Sequence, residues 1–211
     1  MGNIKIAPSL LAADWGHLAT EVAKVEQADL LHLDVMDGHF VPNISFGPNF
    51  VKTVRGLTKL PLSVHLMVSR PSELIEDFVH AGADKLTIHV EAEGDHYRTI
   101  SVIRDFGLEA GIALSPATPV GSVEELLPIV DFVLLMTVSP GFGGQAFIPQ
   151  MLEKISRMRS LAGQLPIAVD GGITPELLGD VAGAGANIAV AGSAIFREKV
   201  INWKRWQLYE S

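Results

Sequence analysis

A strand-like apolar run followed by a helix-like pattern recurs eight times along this chain. The strand patterns cover 4–10, 30–36, 62–68, 85–90, 109–114, 132–138, 167–170 and 187–190. Between them, apolar residues return at helical spacing: Leu18, Val22 and Val25; a segment at 48–54; Leu74, Ile75, Phe78 and Val79, stopped by Gly82; and a segment at 97–106. Ser122 and Glu125 are spaced as a capping box for the fifth helix. Leu152, Ile155 and Met158 mark the sixth, and Thr174 followed by Pro175 opens the seventh as N-cap and first-turn proline. A closing helix over 198–208 carries Trp203 and Trp206. Eight units in 211 residues leave about 26 residues each, close to the floor for a βα unit with short loops. A doubly wound open sheet usually reaches this length with fewer strands, whereas eight parallel strands close into a barrel. The sequence therefore predicts an α/β fold, a (β/α)8 TIM barrel built as a single domain over residues 1–211.

Composition narrows the chemistry. Cysteine is absent, which excludes disulfides, thiolate nucleophiles and Cys-ligated zinc or iron–sulfur sites. A net charge of -8 without Lys/Arg clusters argues against nucleic acid or an anionic membrane as partner. No apolar run approaches the roughly 18 residues of a membrane span, and the N-terminus lacks the pattern of a signal peptide. The expectation is a cytoplasmic protein whose anionic ligands, if any, are held by a local site.

That site is foreshadowed at 30–40, LLHLDVMDGHF. Strand residues alternate between faces, so Leu31, Leu33 and Val35 share one side and His32, Asp34 and Met36 the other. A strand buried on both sides should read as nearly continuous apolar, and a His and an Asp on one buried face need a purpose. In barrels of this kind the chemistry collects at the C-terminal ends of the strands. His32 and Asp34 end strand two, His65 lies near the end of strand three, and Asp170 ends strand seven. Two imidazoles and two carboxylates make a nitrogen/oxygen set suited to Zn, Mn, Fe(II) or Co(II).

A second constellation is GFGGQ, comprising Gly141, Phe142, Gly143, Gly144 and Gln145, directly after strand six. With Gly171 and Gly172 after strand seven, and Gly192 and Ser193 after strand eight, it forms three neighbouring loops. Their backbone N–H groups can bind a phosphate without Lys or Arg. The dinucleotide fingerprint fails, because Ala146 stands where its third glycine belongs, so no nucleotide cofactor is expected. Ser9 can offer a hydroxyl to substrate, and Met36, Met67 and Met136 can roof the site. His89 and Glu91 share a face of strand four and read as supporting groups, while Asp37, His39 and Asn43 occupy the loop after strand two.

One divalent metal ion beside a phosphate site suits a small sugar phosphate. The ion would polarise a keto group while one carboxylate removes the neighbouring carbon's proton and the other returns it from the opposite face. That is epimerisation. The segments APSLLAAD, HLDVMDGHFVPN, HLMV, ALSPATP, PGFGGQAFIP, VDGGI and AGSAIF occur in this order, and through them the chain resembles ribulose-phosphate 3-epimerases over essentially its whole length. The resemblance implies interconversion of D-ribulose 5-phosphate and D-xylulose 5-phosphate in the pentose phosphate pathway. It implies metal ligands His32, Asp34, His65 and Asp170, with Asp34 accepting and Asp170 donating the proton in the ribulose-to-xylulose direction. It further implies substrate contacts from Ser9 and His65, phosphate binding by the three loops, and a homo-oligomer. Ser139 replaces the Asn that many relatives carry before the Pro-Gly pair. Rival readings are a D-allulose-6-phosphate 3-epimerase, a lyase or aldolase on a phosphate-binding barrel, and a non-catalytic sugar-phosphate binder. A Schiff-base lyase would want a Lys at a strand end, and Lys85 begins its strand instead.

Overall fold

Each strand of the chain is short, buried and joined to the next by a segment that crosses outside the sheet. The computed structural model describes residues 4–207. Its strands are β1 (Lys5–Pro8), β2 (Leu31–Met36), β3 (Leu62–Met67), β4 (Lys85–His89), β5 (Glu109–Leu114), β6 (Phe132–Met136), β7 (Ile167–Asp170) and β8 (Ile188–Ala191). All the paired strands run parallel, in the order β1-β8-β7-β6-β5-β4-β3-β2. The ring closes between β1 and β2 through one parallel bridge, Ser9 to His32. Among the described residues no helix is long and apolar enough to cross a membrane.

The outer layer holds α1 (Leu18–Lys24), α2 (Pro48–Leu57), α3 (Ile75–His80), α4 (His96–Asp105), α5 (Met151–Ala162), α6 (Leu178–Ala184) and the single turn α7 (Ser193–Phe196). Two expected helices come out differently. The fifth connection is a 3-10 helix, Val120–Leu126, entered from Pro119 with no side-chain cap. Ser122 lies inside it and donates its N–H to the Pro119 carbonyl, so the Ser122/Glu125 capping box does not form. The closing helix over 198–208 is reduced to a 3-10 turn, Trp203–Trp206, with Leu208 outside the described residues. The spacing of Trp203 and Trp206 that reads as helical also suits a 3-10 turn, on which i and i+3 eclipse, and only Trp206 is buried. Thr174 precedes a 3-10 turn, Pro175–Leu177, without a side-chain cap, before α6 begins.

The alternation of side chains splits the core in two. Leu31, Leu33 and Val35 face the helices and join a large apolar layer with Val51, Val54, Phe78 and Ile88. Inside the ring, Ala7, Leu30, Ala113, Leu134, Met136, Ala168, Ile188 and Val190 form a separate cluster. The interior is therefore apolar on the β5–β8 side apart from Asp170 at the end of β7. On β2, β3 and β4 it carries His32, Asp34, Ser63, His65, Thr87 and His89, all buried.

At the N-terminal end of the barrel a clip recurs four times. Asp29, two residues before β2, and the residues immediately before β4, β6 and β8 each exchange two bonds with one residue of the preceding odd strand. Asp29, Asp84, Asp131 and Asn187 donate their N–H groups to the carbonyls of Ile6, Leu62, Ala110 and Ile167. Their side-chain oxygens accept the N–H groups of the same four residues at 2.8, 2.8, 2.8 and 3.0 Å. Arg55 on α2 and Arg159 on α5 brace the clips at Asp84 and Asn187. The Arg55–Asp84 pair is partly exposed and so contributes little by charge alone. The clip matters because it satisfies strand N–H groups that would otherwise be left unpaired. Asp84→Ala is expected to lower unfolding stability by about 2 kcal/mol in urea titrations. Asp84→Asn should stay close to wild type, because Asn187 already does the same work on β8.

Candidate active site

The register of β2 against β3 pairs Asp34 with His65, and paired residues of adjacent strands point to the same side. Both point inward, as does His32 two residues earlier. Asp34 Oδ1 lies 3.1 Å from His32 Nε2 and 3.0 Å from His65 Nδ1. Across the ring, the Oδ2 of Asp170 at the end of β7 lies 3.5 Å from His32 Nε2 and 3.7 Å from His65 Nδ1. One donor atom from each of the four side chains falls within 4.8 Å of the others, and all four residues are buried. The Ser9 hydroxyl, from the β1 side of the closing seam, donates to Asp34 Oδ2 at 2.6 Å.

Burial penalises the charged forms of Asp34 and His65, and their partners overcome it. Desolvation pushes the Asp34 carboxyl up, but the His32 and His65 imidazoles beside it hold it well below the ordinary carboxylate range. Burial likewise disfavours a charged His65, yet the Asp170 and Asp34 carboxylates beside it raise it to about 9. His89, also fully buried, goes the other way: desolvation outweighs its Glu91 partner and lowers it to about 4. Four nitrogen and oxygen donors with two carboxylates, converging in a buried spot, fit a divalent cation that prefers such ligands.

Above the cluster opens a cleft lined by Ser9, Asp34 and Asp170, by Met36, Met67 and Met136, and by the loops after β6, β7 and β8. All the glycines expected at the phosphate loops, Gly141, Gly143, Gly144, Gly171, Gly172 and Gly192, line it, with Phe142 and Ser193. Phe142 is 56% exposed. Gly172 has φ +68°, and a Cβ there would lie 2.3 Å from the backbone nitrogen of Phe147. The β6 and β7 loops therefore meet backbone to backbone.

Met36 and Met67 pack with Val41, whereas Met136 belongs to the interior cluster. The Ser9 hydroxyl is occupied by Asp34 and accepts from the Leu11 N–H at 3.4 Å. Asp37 organises its own loop, accepting the N–H groups of His39, Phe40 and Ser69 at 2.8 Å each. Asn43 ties that loop to the one after β6 by donating to the Gly141 carbonyl at 3.0 Å.

One residue escaped the sequence reading. The guanidinium of Arg197 stands beside Gly144, with Nη2 3.5 Å from where a Cβ would sit. Its signal was there: Arg197 follows Ser193 by four positions, and its N–H closes the α7 turn onto the Ser193 carbonyl, so both lie on one face.

Comparison with known proteins decides the family. A sequence profile of the ribulose-phosphate 3 epimerase family matches residues 5–196. The chain belongs to the ribulose-phosphate 3-epimerase family. It is 49% identical over 210 residues to the ribulose-phosphate 3-epimerase of Bacillus subtilis, covering 94% of this chain and 97% of that protein. The Treponema pallidum enzyme is 51% identical over 92% of each. A chloroplastic ribulose-5-phosphate-3-epimerase of Arabidopsis thaliana is 45% identical over 93% of this chain and 73% of its own length. Among solved structures, a tryptophan synthase α-subunit of Pyrococcus furiosus superposes with a TM-score of 0.72 at 16% identity, covering 92% of this chain and 88% of that one. That likeness shows the barrel fold alone. The chain is thus an epimerase of this family, and the cleft is where its chemistry is sought. Gly172→Ala should force the β6 and β7 loops apart and raise the KM for ribulose 5-phosphate roughly ten-fold or more, about 1.4 kcal/mol of binding. Steady-state kinetics measure it.

Proposed function

We propose that this protein interconverts D-ribulose 5-phosphate and D-xylulose 5-phosphate by metal-dependent epimerisation at C3, as a step of the pentose phosphate pathway. The observation that carries the reading is the convergence of Asp34 and Asp170, from opposite sides of the ring, on the same two imidazoles. His32, Asp34, His65 and Asp170 would hold one divalent ion, Zn, Fe(II), Mn or Co(II). Bound there, such an ion supplies Lewis-acid polarisation of the substrate carbonyl and makes the adjacent proton easier to remove.

The chain's own groups do the rest. Asp34 takes the C3 proton of ribulose 5-phosphate, and Asp170 delivers a proton to the opposite face of the planar enediolate; the reverse reaction exchanges the roles. Ser9, bonded to Asp34 Oδ2, fixes the orientation of that carboxylate. The methionines cover the sugar without offering a competing proton. Backbone N–H groups of Gly141 to Gly144, Gly171, Gly172, Gly192 and Ser193 cradle the phosphate, and the Arg197 guanidinium adds a positive charge at the rim. Holding the phosphate there fixes the distance from the loops to C3, and with it which carbon faces the two acids. A cytoplasmic location, and a homo-oligomeric state implied by the family resemblance, complete this reading. A hexulose-phosphate substrate has no observation in its favour.

Asp170→Asn removes one of two obligatory proton carriers, so kcat is expected to fall by roughly three to four orders of magnitude while the protein stays folded. A loss of only a few-fold would be incompatible with two acids. In deuterated water, one turnover should place deuterium at C3 of the xylulose 5-phosphate formed. Stringent chelation should abolish turnover, and divalent ions that favour nitrogen and oxygen ligands should restore it. A fully active metal-free preparation would refute the ligand assignment.

A further inference from the structure

Behind His65 stands a second buried row that the proton chemistry above does not use. His65 Nε2, the nitrogen turned away from Asp34, lies 2.9 Å from His89 Nε2. His89 Nδ1 lies 2.8 Å from Glu91 Oε2. His89 is completely buried and is not among the four clustered side chains. The Phe40 ring packs over it at a centroid distance of 4.8 Å.

Hydrogen-bond bookkeeping leaves one arrangement. An ionised carboxylate only accepts, and Glu91 is held ionised by His89, Thr118 and the Ser115 N–H, which lower it to about 2 against its burial. Its partner Nδ1 of His89 must carry the hydrogen. A neutral imidazole carries one ring hydrogen, so His89 donating through Nδ1 to Glu91 presents a lone pair at Nε2. Two ring nitrogens 2.9 Å apart need a hydrogen between them, and it belongs to His65 Nε2.

We propose that Glu91 and His89 are positioning residues that fix the hydrogen of His65 on Nε2 and so commit Nδ1, the nitrogen facing Asp34 and Asp170, to the divalent ion. The inference rests on the metal reading given above. Metal-binding histidines usually donate their second N–H to a carboxylate or a carbonyl. Here an extra imidazole is interposed, which orients His65 while keeping a third carboxylate away from Asp34 and Asp170.

The relay is anchored well outside the cluster. The other oxygen of Glu91 accepts the Ser115 N–H at 2.8 Å and the Thr118 hydroxyl. The loop carrying both is gripped by Lys154 of α5, whose ammonium donates to the carbonyls of Ser115, Pro116 and Thr118 at 2.7, 3.1 and 2.5 Å. Orientation of His65 is thereby tied to the packing of α5 against the β5 loop.

The test uses the full-length protein labelled with 15N-histidine and loaded with zinc. Long-range 1H–15N spectra report which His65 nitrogen bears hydrogen, and competition with a chromophoric chelator reports zinc affinity. Wild type should show His65 protonated on Nε2. Glu91→Gln, at the rim where folding is least at risk, and His89→Leu should each weaken zinc binding by roughly 10- to 100-fold. His89→Gln, whose amide oxygen can accept from His65, should recover most of it. Thermal melting of the metal-free proteins separates this loss from general destabilisation. Unchanged zinc affinity in both Glu91→Gln and His89→Leu, or a wild-type His65 with its hydrogen on Nδ1, would overturn the relay. A wild-type protein that binds no divalent ion would instead overturn the metal reading, and the relay with it.

Discussion

The alignment of β2 with β3, held by backbone hydrogen bonds, governs this molecule. It sets Asp34 beside His65 with both side chains inside the ring. A slip of one residue would turn His32 and Asp34 out against the helices and put Leu33 and Val35 in their place. Nothing in the apolar layer could receive two such groups without a large desolvation cost. The outward-facing Leu31, Leu33 and Val35 therefore protect the site as much as they stabilise the barrel: burying them against Val51 and Val54 of α2 is incompatible with any other register. Once inside, the polar groups have only one another to satisfy. The mutual spacing of His32, Asp34, His65 and Asp170 follows from that need and matches the spacing a small cation demands.

The two ends of the barrel divide the labour. At the N-terminal end the four Asx clips bind strand to strand by local hydrogen bonds, and none of them reaches the cleft. At the C-terminal end the corresponding positions carry Ser9, Asp34, His65 and Asp170, whose side chains bond to each other instead. The seam between β1 and β2 shows the two functions meeting. Its backbone pairing is reduced to the Ser9–His32 bridge and the Asp29 clip, and the Ser9–Asp34 hydrogen bond supplies the lateral tie. A residue that orients a carboxylate is also part of what closes the ring.

Much of this was legible in the chain because the strands obey period two without exception. His32, Asp34 and Met36 separate from Leu31, Leu33 and Val35 by alternation alone, and the position of Asp170 at a strand end follows from the glycines after it. The helices were less legible where their length was short: Pro119 and the Trp203–Trp206 spacing are compatible with α and 3-10 geometry alike, and packing decided for the tighter form. Least legible were links between side chains distant in sequence. Lys154 meets the 115–118 loop, and Asp29 meets Ile6, through closure of the ring. The sequence offers only weak local cues, such as Gly-Ala-Asp at 82–84 and Gly-Ala-Asn at 185–187.

The distribution of charge inside the barrel bears on how an anionic sugar phosphate can be turned over by an acidic protein. The chain's net charge is -8, and two carboxylates sit at the floor of the cleft, so a phosphate dianion arriving there would be repelled if the whole interior were alike. It is not. The acidic and imidazole groups occupy the floor and the β2–β4 side, whereas the loop after β6, proposed above as part of the phosphate cradle, contains no carboxylate between Pro140 and Gln150. It offers backbone dipoles, with the Arg197 guanidinium beside Gly144. On the function proposed above, the substrate would be oriented by polarity before any bond to the reacting carbon matters: its dianion at one wall and its neutral, proton-yielding end at the other. The buried Met36, Met67 and Met136 that line the same cleft add apolar surface there, and charge interactions strengthen as the local dielectric falls. Separating the binding of the anion from the transfer of the proton lets each be strong without opposing the other.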